Sequence, residues 1–429
     1  MARAMKDSGI EWLGEIPEGW EVARVSSCFS EVKEKNTDNL YDNALQFKMG
    51  RIIPKPRKWD AEEIGETYSA YTIVHPGTIM VNGLNLEFDF VTQRVAIVEE
   101  NGIITSAYIA MSPNDSVDAD YMCYLLKAYD YRRALHNMGK GLRKILNYSE
   151  LKTKPILLPP LSEQRSIVKA LNTECAQIDA VIEQTRASIE EYKKLKQSVI
   201  TQAVTKGIRP GRKMKASGIE WVKELPEDWA VIPSKYLFRN SDMRRLDNDE
   251  QMTASQQYGI ITQAQYMELT GAKVVFANKG LEDWKHVEPY DFIISLRSFQ
   301  GGLEMSETTG CITWHYIVLK PCKPIYSYYF KWLFKSELYI KALQRTCNFI
   351  RDGQDLRYSN FVQVPLFEPS LEEQKEIADY LNKKCAEIDQ LISKKESFAA
   401  ELESYKKTLI FEYVTGKKEV VRGDTECLI

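Results

Sequence analysis

The sequence has no long hydrophobic run. No stretch of its 429 residues approaches the roughly 18 consecutive apolar residues that a membrane-spanning helix requires. The first residues also lack the apolar segment of a secretory signal peptide, so we expect a cytoplasmic protein. An excess of basic residues is missing as well, because the formal net charge is -3. Any affinity for nucleic acid must therefore come from local patches.

Sequence signals for metals and disulfides are scarce. The eight cysteines contain no C-x-x-C pair. Cys175 and Cys385 fall at matched positions of predicted helices, which is typical of small, reduced, apolar residues. The histidines are scattered without metal-ligand spacing, at His75, His136, His286 and His315. We expect neither a zinc site nor a disulfide framework.

Catalytic motifs are missing too. There is no G-x-x-x-x-G-K-[ST] loop for ATP. The double proline in Leu158–Leu161 has no Asn or Asp before it, unlike the Asn/Asp-Pro-Pro-aromatic motif of adenine methyltransferases. Glu-x-Lys triplets at Glu191–Lys193 and Glu373–Lys375 lie in predicted long helices, which disfavours a nuclease core. We predict that the chain catalyses nothing by itself and binds no cofactor of its own.

What the sequence does contain is a duplication at an offset of about 210 residues. Lys6–Trp20 returns as Lys215–Trp229, with ten identities in fifteen positions. The segment Leu161–Gln164 returns in the same way as Leu371–Gln374. Only scattered positions are shared by the intervening segments, 22–150 and 231–360. The frame is repeated and the parts that it holds have diverged, which suggests one molecule that recognises two different things.

Each repeat ends in a segment that predicts one long helix. Apolar residues follow the alternating four and three spacing of a coiled-coil seam. The two seams contain Leu171, Cys175, Ile178, Ile182, Ile189, Tyr192 and Val199, and Leu381, Cys385, Ile388, Ile392, Leu402 and Leu409. Polar residues interrupt both seams, at Thr185 and Lys196 and at Lys395 and Lys406. At about 1.5 Å per residue, each helix would reach roughly 60 Å, and we expect the two to pair antiparallel as a spacer.

The diverged segments, which we call heads, are predicted to be mixed α/β. Short runs typical of strands are Thr72–Val74, Thr78–Val81, Val95–Val98, Ile103–Ile104, Val274–Phe276, Phe292–Ile294 and Tyr316–Leu319. An amphipathic helix is predicted after each set, at 119–136 and 327–345. The fold class is therefore α+β: two mixed α/β heads separated by two long repeated helices that form an antiparallel coiled coil, with a pseudo-twofold internal repeat.

These patterns also give domain boundaries. Ser370 with Glu373 has the spacing of a capping box at the start of the second helix, and Pro160 occupies the corresponding place in the first. We assign head 1 to residues 1–155, the first helical region to 156–207, a linker to 208–214, head 2 to 215–365, the second helical region to 366–418 and a tail to 419–429.

Basic clusters and amide side chains occur in both heads. Lysine and arginine neutralise phosphates, and Arg, Asn and Gln can read base edges. The candidates for DNA binding in head 1 are Arg51, Lys55, Arg57, Lys58, Asn82, Asn85, Gln93, Arg94, Lys140, Arg143 and Lys144. Those in head 2 are Arg297, Gln300, Arg345, Asn348, Arg351, Gln354 and Arg357. For any one residue a solvated surface charge is the commoner outcome, and the hypothesis depends on the clustering in both heads.

Taken together, these motifs resemble those of a known family, the specificity subunits of type I restriction-modification enzymes. The likeness rests on Pro160-Leu-Ser-Glu-Gln164 and Ser370-Leu-Glu-Glu-Gln374, each opening a long helix. It also rests on the Gly-Ile-Glu-Trp and Pro-Glu-x-Trp motifs that open each half, and on the layout of two variable and two constant regions. The resemblance covers residues 6–416.

The resemblance implies that each head is a target recognition domain for one part of a bipartite, asymmetric double-stranded DNA sequence. It implies docking of two methyltransferase subunits that modify adenine at N6 with S-adenosylmethionine. Two further motor-nuclease subunits would use ATP and Mg²⁺ for restriction. The loops before the helical regions differ, however, because Gly139–Lys144 is basic whereas Arg351–Arg357 contains two acids. The role of the second loop is therefore open.

One alternative from another class remains. A tandem adaptor without DNA-binding activity could use the same coiled coil to organise partners, with heads that bind protein. The aromatic content of 11% is compatible with that interpretation. Paired loops rich in Arg, Lys, Asn and Gln are less expected there. DNA binding that weakens steeply with salt would separate the two hypotheses.

Overall fold

The computed structural model describes residues 3–56, 68–87, 89, 93–139, 144–295, 298–346 and 356–420, apart from the side chain of Phe299. The chain divides into two compact units. Unit 1 consists of Met1–Thr185 with Ser397–Ile429, and unit 2 consists of Arg186–Glu396. Each unit therefore combines one head with a part of each long helical region.

Helices occur in both units. In chain order they are α1 (Val25–Cys28), α2 (Ala119–Tyr131), α3 (Tyr148–Leu151), α4 (Leu161–Lys206), α5 (Gln263–Thr270), α6 (Ser298–Gly301), α7 (Ser327–Phe334), α8 (Glu337–Arg345), α9 (Tyr358–Phe361) and α10 (Leu371–Val414). Short 3₁₀ turns lie at Leu135–Asn137, Ser234–Tyr236 and Leu281–Asp283. The two long helices, α4 and α10, start and end within the predicted helical regions.

Head 1 is built on antiparallel strands. They are β1 (Met5–Asp7), β2 (Glu15–Pro17), β3 (Glu21–Arg24), β4 (Phe29–Glu31), β5 (Leu45–Lys48), β6 (Arg51–Pro54), β7 (Thr72–Val74), β8 (Ile79–Val81), β9 (Val95–Ile97), β10 (Gly102–Ile104), β11 (Ile109–Pro113) and β12 (Pro155–Leu158). A four-stranded sheet has the order β4-β11-β8-β9. Two-stranded pairs are formed by β1 with β2, β3 with β12, β5 with β6, and β7 with β10.

Head 2 repeats this topology. Its strands are β13 (Met214–Ile219), β14 (Val222–Pro226), β15 (Ala230–Ile232), β16 (Phe238–Ser241), β17 (Met252–Ser255), β18 (Gly259–Thr262), β19 (Lys285–Val287), β20 (Phe292–Ile294), β21 (Glu304–Met305), β22 (Gly310–Ile312), β23 (Ile317–Pro321) and β24 (Leu366–Glu368). The four-stranded sheet β16-β23-β20-β21 corresponds to that of head 1, and each two-stranded pair has its counterpart. The prediction of a shared mixed fold is confirmed.

The cores of the two heads differ in composition. In head 2 the rings of Phe238, Phe292, Phe330 and Phe334 lie against one another with centroids 5.1 to 6.0 Å apart. Head 1 places mainly aliphatic residues and the rings of α2 between its sheet and that helix. Both arrangements bury apolar surface over the same sheet order. A shared fold therefore does not require shared core residues.

Two local predictions are wrong. Val274–Phe276 forms no strand, and the side chain of Val275 is 91% exposed. The neighbouring Ala277 is hydrogen-bonded through both of its backbone groups by the side chain of Gln251, in place of a partner strand. The segment 327–345 forms two helices because Ser336 caps the second one, its hydroxyl accepting from the N–H of Tyr339.

Parts of the two long helices pack antiparallel in each unit. In unit 1 the Nζ of Lys406 lies 2.6 Å from the Oδ2 of Asp179. In unit 2 the Nζ of Lys196 lies 2.6 Å from the Oδ2 of Asp389. These are equivalent pairs, because 196 and 406, like 179 and 389, differ by 210. All thirteen predicted seam residues are buried or half-buried, so the coiled-coil prediction is confirmed.

The expected capping box at the start of α10 is formed only in part. The hydroxyl of Ser370 accepts from the N–H of Glu373 at 3.3 Å, as the motif requires. The carboxylate of Glu373, however, is bound by the side chains of Trp229 and Arg212. The Ser-x-x-Glu spacing therefore serves a contact between α10 and head 2 in place of the second half of the box.

Within the described part of the chain, no helix is long and apolar enough to cross a membrane. The same residues contain no group of three or more His, Cys, Asp or Glu side chains placed to hold a metal ion. The thiols of Cys175 and Cys385 lie buried in the seam, and burial raises the pKa of each to about 11. Both cysteines therefore act as apolar packing residues.

Candidate nucleic-acid interface

The opening motif of head 1 is bound to the start of α4. The indole Nε1 of Trp20 donates to the carboxylate of Glu163 at 3.0 Å. Arg3 forms a bidentate pair with the same carboxylate, and its guanidinium lies 5.5 Å from the centroid of the Trp20 ring. Glu163 is 27% exposed. The repeated Trp and the repeated Glu therefore form one contact between head and helix.

The same contact recurs in unit 2 with greater burial. Trp229 donates to Glu373 at 3.0 Å, and Arg212 occupies the place of Arg3, again 5.5 Å from the ring centroid. The side chain of Glu373 is 1% exposed. Arg212 also binds Asp228 at 2.6 Å, and this pairing lowers the pKa of the Asp228 carboxyl against the opposing effect of desolvation. Unit 2 therefore contains a buried version of the ion pair that unit 1 exposes in part.

The glutamine of each Leu-x-Glu-Gln segment joins helix and head. The Oε1 of Gln164 accepts from the N–H of Asp118 at 2.8 Å, and the Oε1 of Gln374 accepts from the N–H of Tyr326 at 2.8 Å. In both units the amide nitrogen donates at 2.9 Å to the carbonyl of the proline five residues earlier. Both glutamines are fully buried. The glutamine of the Leu-x-Glu-Gln motif thus fixes the orientation of each head on its helix.

The other end of each helix pair is also bound to a head. The hydroxyl of Tyr121 in α2 donates to the carbonyl of Val414 at the end of α10, at 3.1 Å. The hydroxyl of Tyr329 in α7 donates to the carbonyl of Val204 in α4, also at 3.1 Å. Val204 and Val414 differ by 210. Each head is therefore bound to the start of its own helix and to the end of the helix of the other repeat.

Candidate residues of head 1 gather beside a hairpin. Strands β5 and β6 are joined by Met49 and Gly50, which have φ values of 48° and 73°. The exposed Arg51 lies at this turn. A Cβ placed on Gly50 would lie 2.3 Å from the Oε1 of Gln93, so the glutamine side chain packs against the turn. The structure brings Arg51 and Gln93 together, with Lys55 exposed just beyond β6.

The structure contradicts the prediction that Arg94 contacts DNA. Its side chain is fully buried, and its guanidinium donates to the carbonyls of Asn82, Leu84, Asn85 and Asp89. A side chain committed to four carbonyls of one loop is not presented to a base edge. Arg94 instead fixes the conformation of the loop that displays the other candidates.

That loop also meets the basic segment near Lys144. The N–H of Leu146 donates to the carbonyl of Gly83 at 2.9 Å, and a Cβ on Gly83 would lie 2.1 Å from the carbonyl oxygen of Leu146. Asn85 and Lys144 are exposed, whereas the Oδ1 of Asn82 accepts from the N–H of Leu84. Asn85 and Lys144 are thus the available members of this group. The predictions at Arg57, Lys58, Lys140 and Arg143 lie outside the described residues.

The candidates of head 2 are less gathered. Gln300 is exposed in α6. Arg345 is exposed at the end of α8, where its guanidinium lies 3.2 Å from the carboxylate of Glu220. Arg357 is exposed just before α9, and its N–H donates to the Oδ1 of Asn360. The predictions at Arg297, Asn348, Arg351 and Gln354 lie outside the described residues.

Head 2 also contains a second group of polar residues that was not among the predicted candidates. Gln256, Gln257 and Tyr258 close the hairpin β17–β18 and line an open cleft of about 940 Å³ together with Gln300. These residues carry no charge and lie outside the basic clusters, so the charge pattern of the sequence does not indicate them. The Gln-Gln-Tyr-Gly sequence between two β-like runs is the signal that could have identified a hairpin tip.

Comparison with known proteins agrees with this duplicated architecture. Residues 75–191 match the family model described as the type I restriction modification DNA specificity domain. The MjaX specificity subunit of a type I restriction enzyme from Methanocaldococcus jannaschii is 26% identical over 428 residues, which cover 95% of this chain and 96% of that protein. The chain is therefore similar to a type I specificity subunit along nearly its whole length. The MjaVIII specificity subunit of the same organism is 25% identical over 222 residues, covering 51% of this chain and 49% of that protein.

A solved structure supports the fold of the chain. A chain from a structural study of complex assembly and conformational transition in the type I R-M system superposes with a TM-score of 0.68. The sequence identity is 15%, and the match covers 94% of this chain and 99% of that one. The specificity subunits to which the chain is similar are non-catalytic components of restriction-modification complexes.

Proposed function

We propose that this protein is a specificity subunit that binds double-stranded DNA and recognises a bipartite, asymmetric sequence, with one head for each part. The observation that carries the proposal is a contrast within the chain. The contacts between head and helix recur at an offset of about 210 residues, whereas the hairpin tips of the two heads differ. A repeated frame with different tips is what an asymmetric target requires. In this proposal, α4 and α10 act as the spacer between the two recognised parts.

The available side chains support DNA as the ligand. Arg51, Lys55 and Lys144 are exposed on head 1, and they would neutralise phosphates or read guanine. Gln93 and Asn85 carry amides suited to base edges. A net charge of -3 for the whole chain makes these local patches the source of the affinity.

The chemistry would belong to partner subunits. We propose that the protein docks two methyltransferase subunits, which methylate adenine at N6 with S-adenosylmethionine. Two motor-nuclease subunits using ATP and Mg²⁺ would add restriction. The relatives are named as subunits of restriction enzymes, and this supports such an assembly. The site of action would be the cytoplasm.

Two experiments test the proposal. The protein is co-expressed with its methyltransferase subunits, and methylated adenines are mapped across the genome. We expect a single split motif with two unlike parts separated by unread base pairs. A mobility-shift series between about 50 and 200 mM salt should show steep weakening of DNA binding. Absence of a motif, together with binding that salt does not affect, would favour the adaptor hypothesis.

A further inference from the structure

The two heads carry hairpins built on the same base. In head 1 the N–H of Ile103 donates to the carbonyl of Asn43 at 2.9 Å, just before β5. In head 2 the N–H of Cys311 donates to the carbonyl of Glu250 at 2.8 Å, just before β17. In both heads the preceding residue is a glycine, on which a Cβ would lie within 2.7 Å of that same carbonyl oxygen. The hairpins β5–β6 and β17–β18 therefore occupy equivalent places.

The tips of these equivalent hairpins present different chemistry. In head 1 two cations, Lys48 and Arg51, flank the turn. In head 2 the tip consists of Gln256, Gln257 and Tyr258, and the hydroxyl of Ser255 accepts from the N–H groups of Gln257 and Tyr258 at 3.3 Å. Gln256 and Gln257 are exposed. The amide tip is thus an ordered turn that offers its side chains to solvent.

Each tip contacts a second segment of its head through a glycine and a glutamine. In head 1 the glycine is Gly50 of the hairpin and the glutamine is Gln93 of the second segment. In head 2 the roles are exchanged, because a Cβ on Gly301 would lie 2.6 Å from the Nε2 of Gln256. Gly301 directly follows Gln300. In both heads, therefore, the hairpin and the second segment present their polar groups side by side.

The cleft beside the head 2 tip is dominated by amides, because its cations are already paired. Lys331 lies 2.8 Å from the carboxylate of Glu307. Lys335 is paired with Glu304, and Lys341 is paired with Glu337. A neutral amide can accept from N6 of adenine and donate to N7, which is the bidentate pattern by which glutamine reads adenine in the major groove. Lysine side chains can contact guanine, but these lysines are paired with carboxylates. They therefore add no preference for guanine to the contacts made by the amides.

We propose that Gln256, Gln257 and Gln300 are the base-reading residues of head 2 and that they select an adenine-containing half-site. The equivalent tip of head 1 reads its half-site with Arg51 and Gln93, and so prefers a different sequence. This inference rests on the proposed function, since it assigns the readout within the same DNA-binding role. It predicts that each tip controls one half of the motif and leaves the other half unchanged.

The test uses the full-length protein in complex with its methyltransferase subunits. The variants are Gln257→Ala, Gln300→Ala and the double variant, and genome-wide maps of methylated adenines give the motif. We expect the preference for adenine to fall by about tenfold or more at one or two positions of one half-site. The slope of binding against salt should stay the same, because amides that contact bases release no counterions.

Two further variants complete the design. Gln202→Ala removes an exposed glutamine of α4 outside the cleft, and it should leave the motif unchanged. Arg51→Gln should alter the other half of the motif. Methylation guided by the unchanged half reports that each variant is folded. A motif that keeps both halves in the Gln257 and Gln300 variants, or that changes in both halves, would overturn the inference. Lack of any motif with the wild-type complex would instead overturn the proposed function.

Discussion

The contact of Trp20 with Glu163 and that of Trp229 with Glu373 have the same geometry. The two hairpin tips, in contrast, carry cations in head 1 and amides in head 2. The frame is held by buried side chains with fixed partners, so a change at one position would leave another polar group without its hydrogen bond. The tips are exposed and depend on few internal contacts, so their residues can change freely. In the proposed function, this difference explains how one scaffold can hold two heads that recognise different sequences.

The comparison has a second level, because equivalent contacts differ in burial. The carboxylate of Glu163 is 27% exposed and that of Glu373 is 1% exposed. Removing one partner of a buried ion pair leaves the other charge without compensation, and solvent reduces that penalty at a partly exposed site. The same motif should therefore contribute unequally to the stability of the two units.

The largest expected effect is at the contact that Glu373 makes with Trp229 and Arg212. Glu373→Ala should lower the free energy of unfolding by about 3–5 kcal/mol, because the buried indole of Trp229 loses its acceptor and Arg212 keeps only the exposed Asp228 as a partner. Glu163→Ala should cost about 1 kcal/mol, since Arg3 remains accessible to water. Urea denaturation followed by tryptophan fluorescence measures both changes. The exposed neighbour Glu372→Ala is the matched control, with an effect within about 0.5 kcal/mol. Equal losses of unfolding free energy in the Glu163 and Glu373 variants would show that burial does not distinguish the two contacts.

A smaller effect is expected in the seam. Lys196 with Asp389 and Lys406 with Asp179 form half-exposed pairs of the same geometry. A double-mutant cycle to alanine at each pair should give a coupling free energy of about 0.2–1 kcal/mol. The two couplings should agree within about 0.5 kcal/mol. A coupling in one unit and none in the other would break the equivalence of the two helix pairs.

The smallest difference is expected between the two seam cysteines. Burial raises the pKa of Cys175 and of Cys385 to about 11, so both stay protonated at neutral pH. Because the thiolate is the reactive form, alkylation at pH 8 should be on the order of 100-fold slower than at an exposed thiol such as Cys322. The rate at both should rise as pH approaches 11. Mass spectrometry of iodoacetamide adducts measures this, and fast labelling of either residue would contradict its burial.

The sequence predicted the parts of the fold that depend on periodicity and repetition. Heptad spacing identified seam residues such as Leu171 and Leu381, because a long helix pair is specified by local pattern alone. The strands Thr72–Val74 and Phe292–Ile294 were identified by their β-branched and aromatic residues. Val274–Phe276 has the same composition and forms no strand, because pairing depends on a partner that local sequence does not reveal.

The candidate site was predicted less completely for a related reason. Arg94 has the residue type of a DNA reader, but the chain folds four carbonyls around its guanidinium. Gln256 and Gln257 lack charge, so the pattern of basic residues did not identify them. Burial and loop neighbours decide which polar side chains are displayed, and both arise from tertiary structure. The family motifs themselves, Glu163 and Gln164 among them, proved to be structural contacts of the frame.

The central claim is that a repeated scaffold holds two different readers, and expression of one half tests it most directly. Residues 1–213, produced with the methyltransferase subunits, should pair with a second copy through α4, with Lys196 of one copy facing Asp179 of the other. The methylated motif should then be palindromic, with both halves equal to the part read by head 1. An unpaired monomer, or the unchanged asymmetric motif of the full-length protein, would contradict the account.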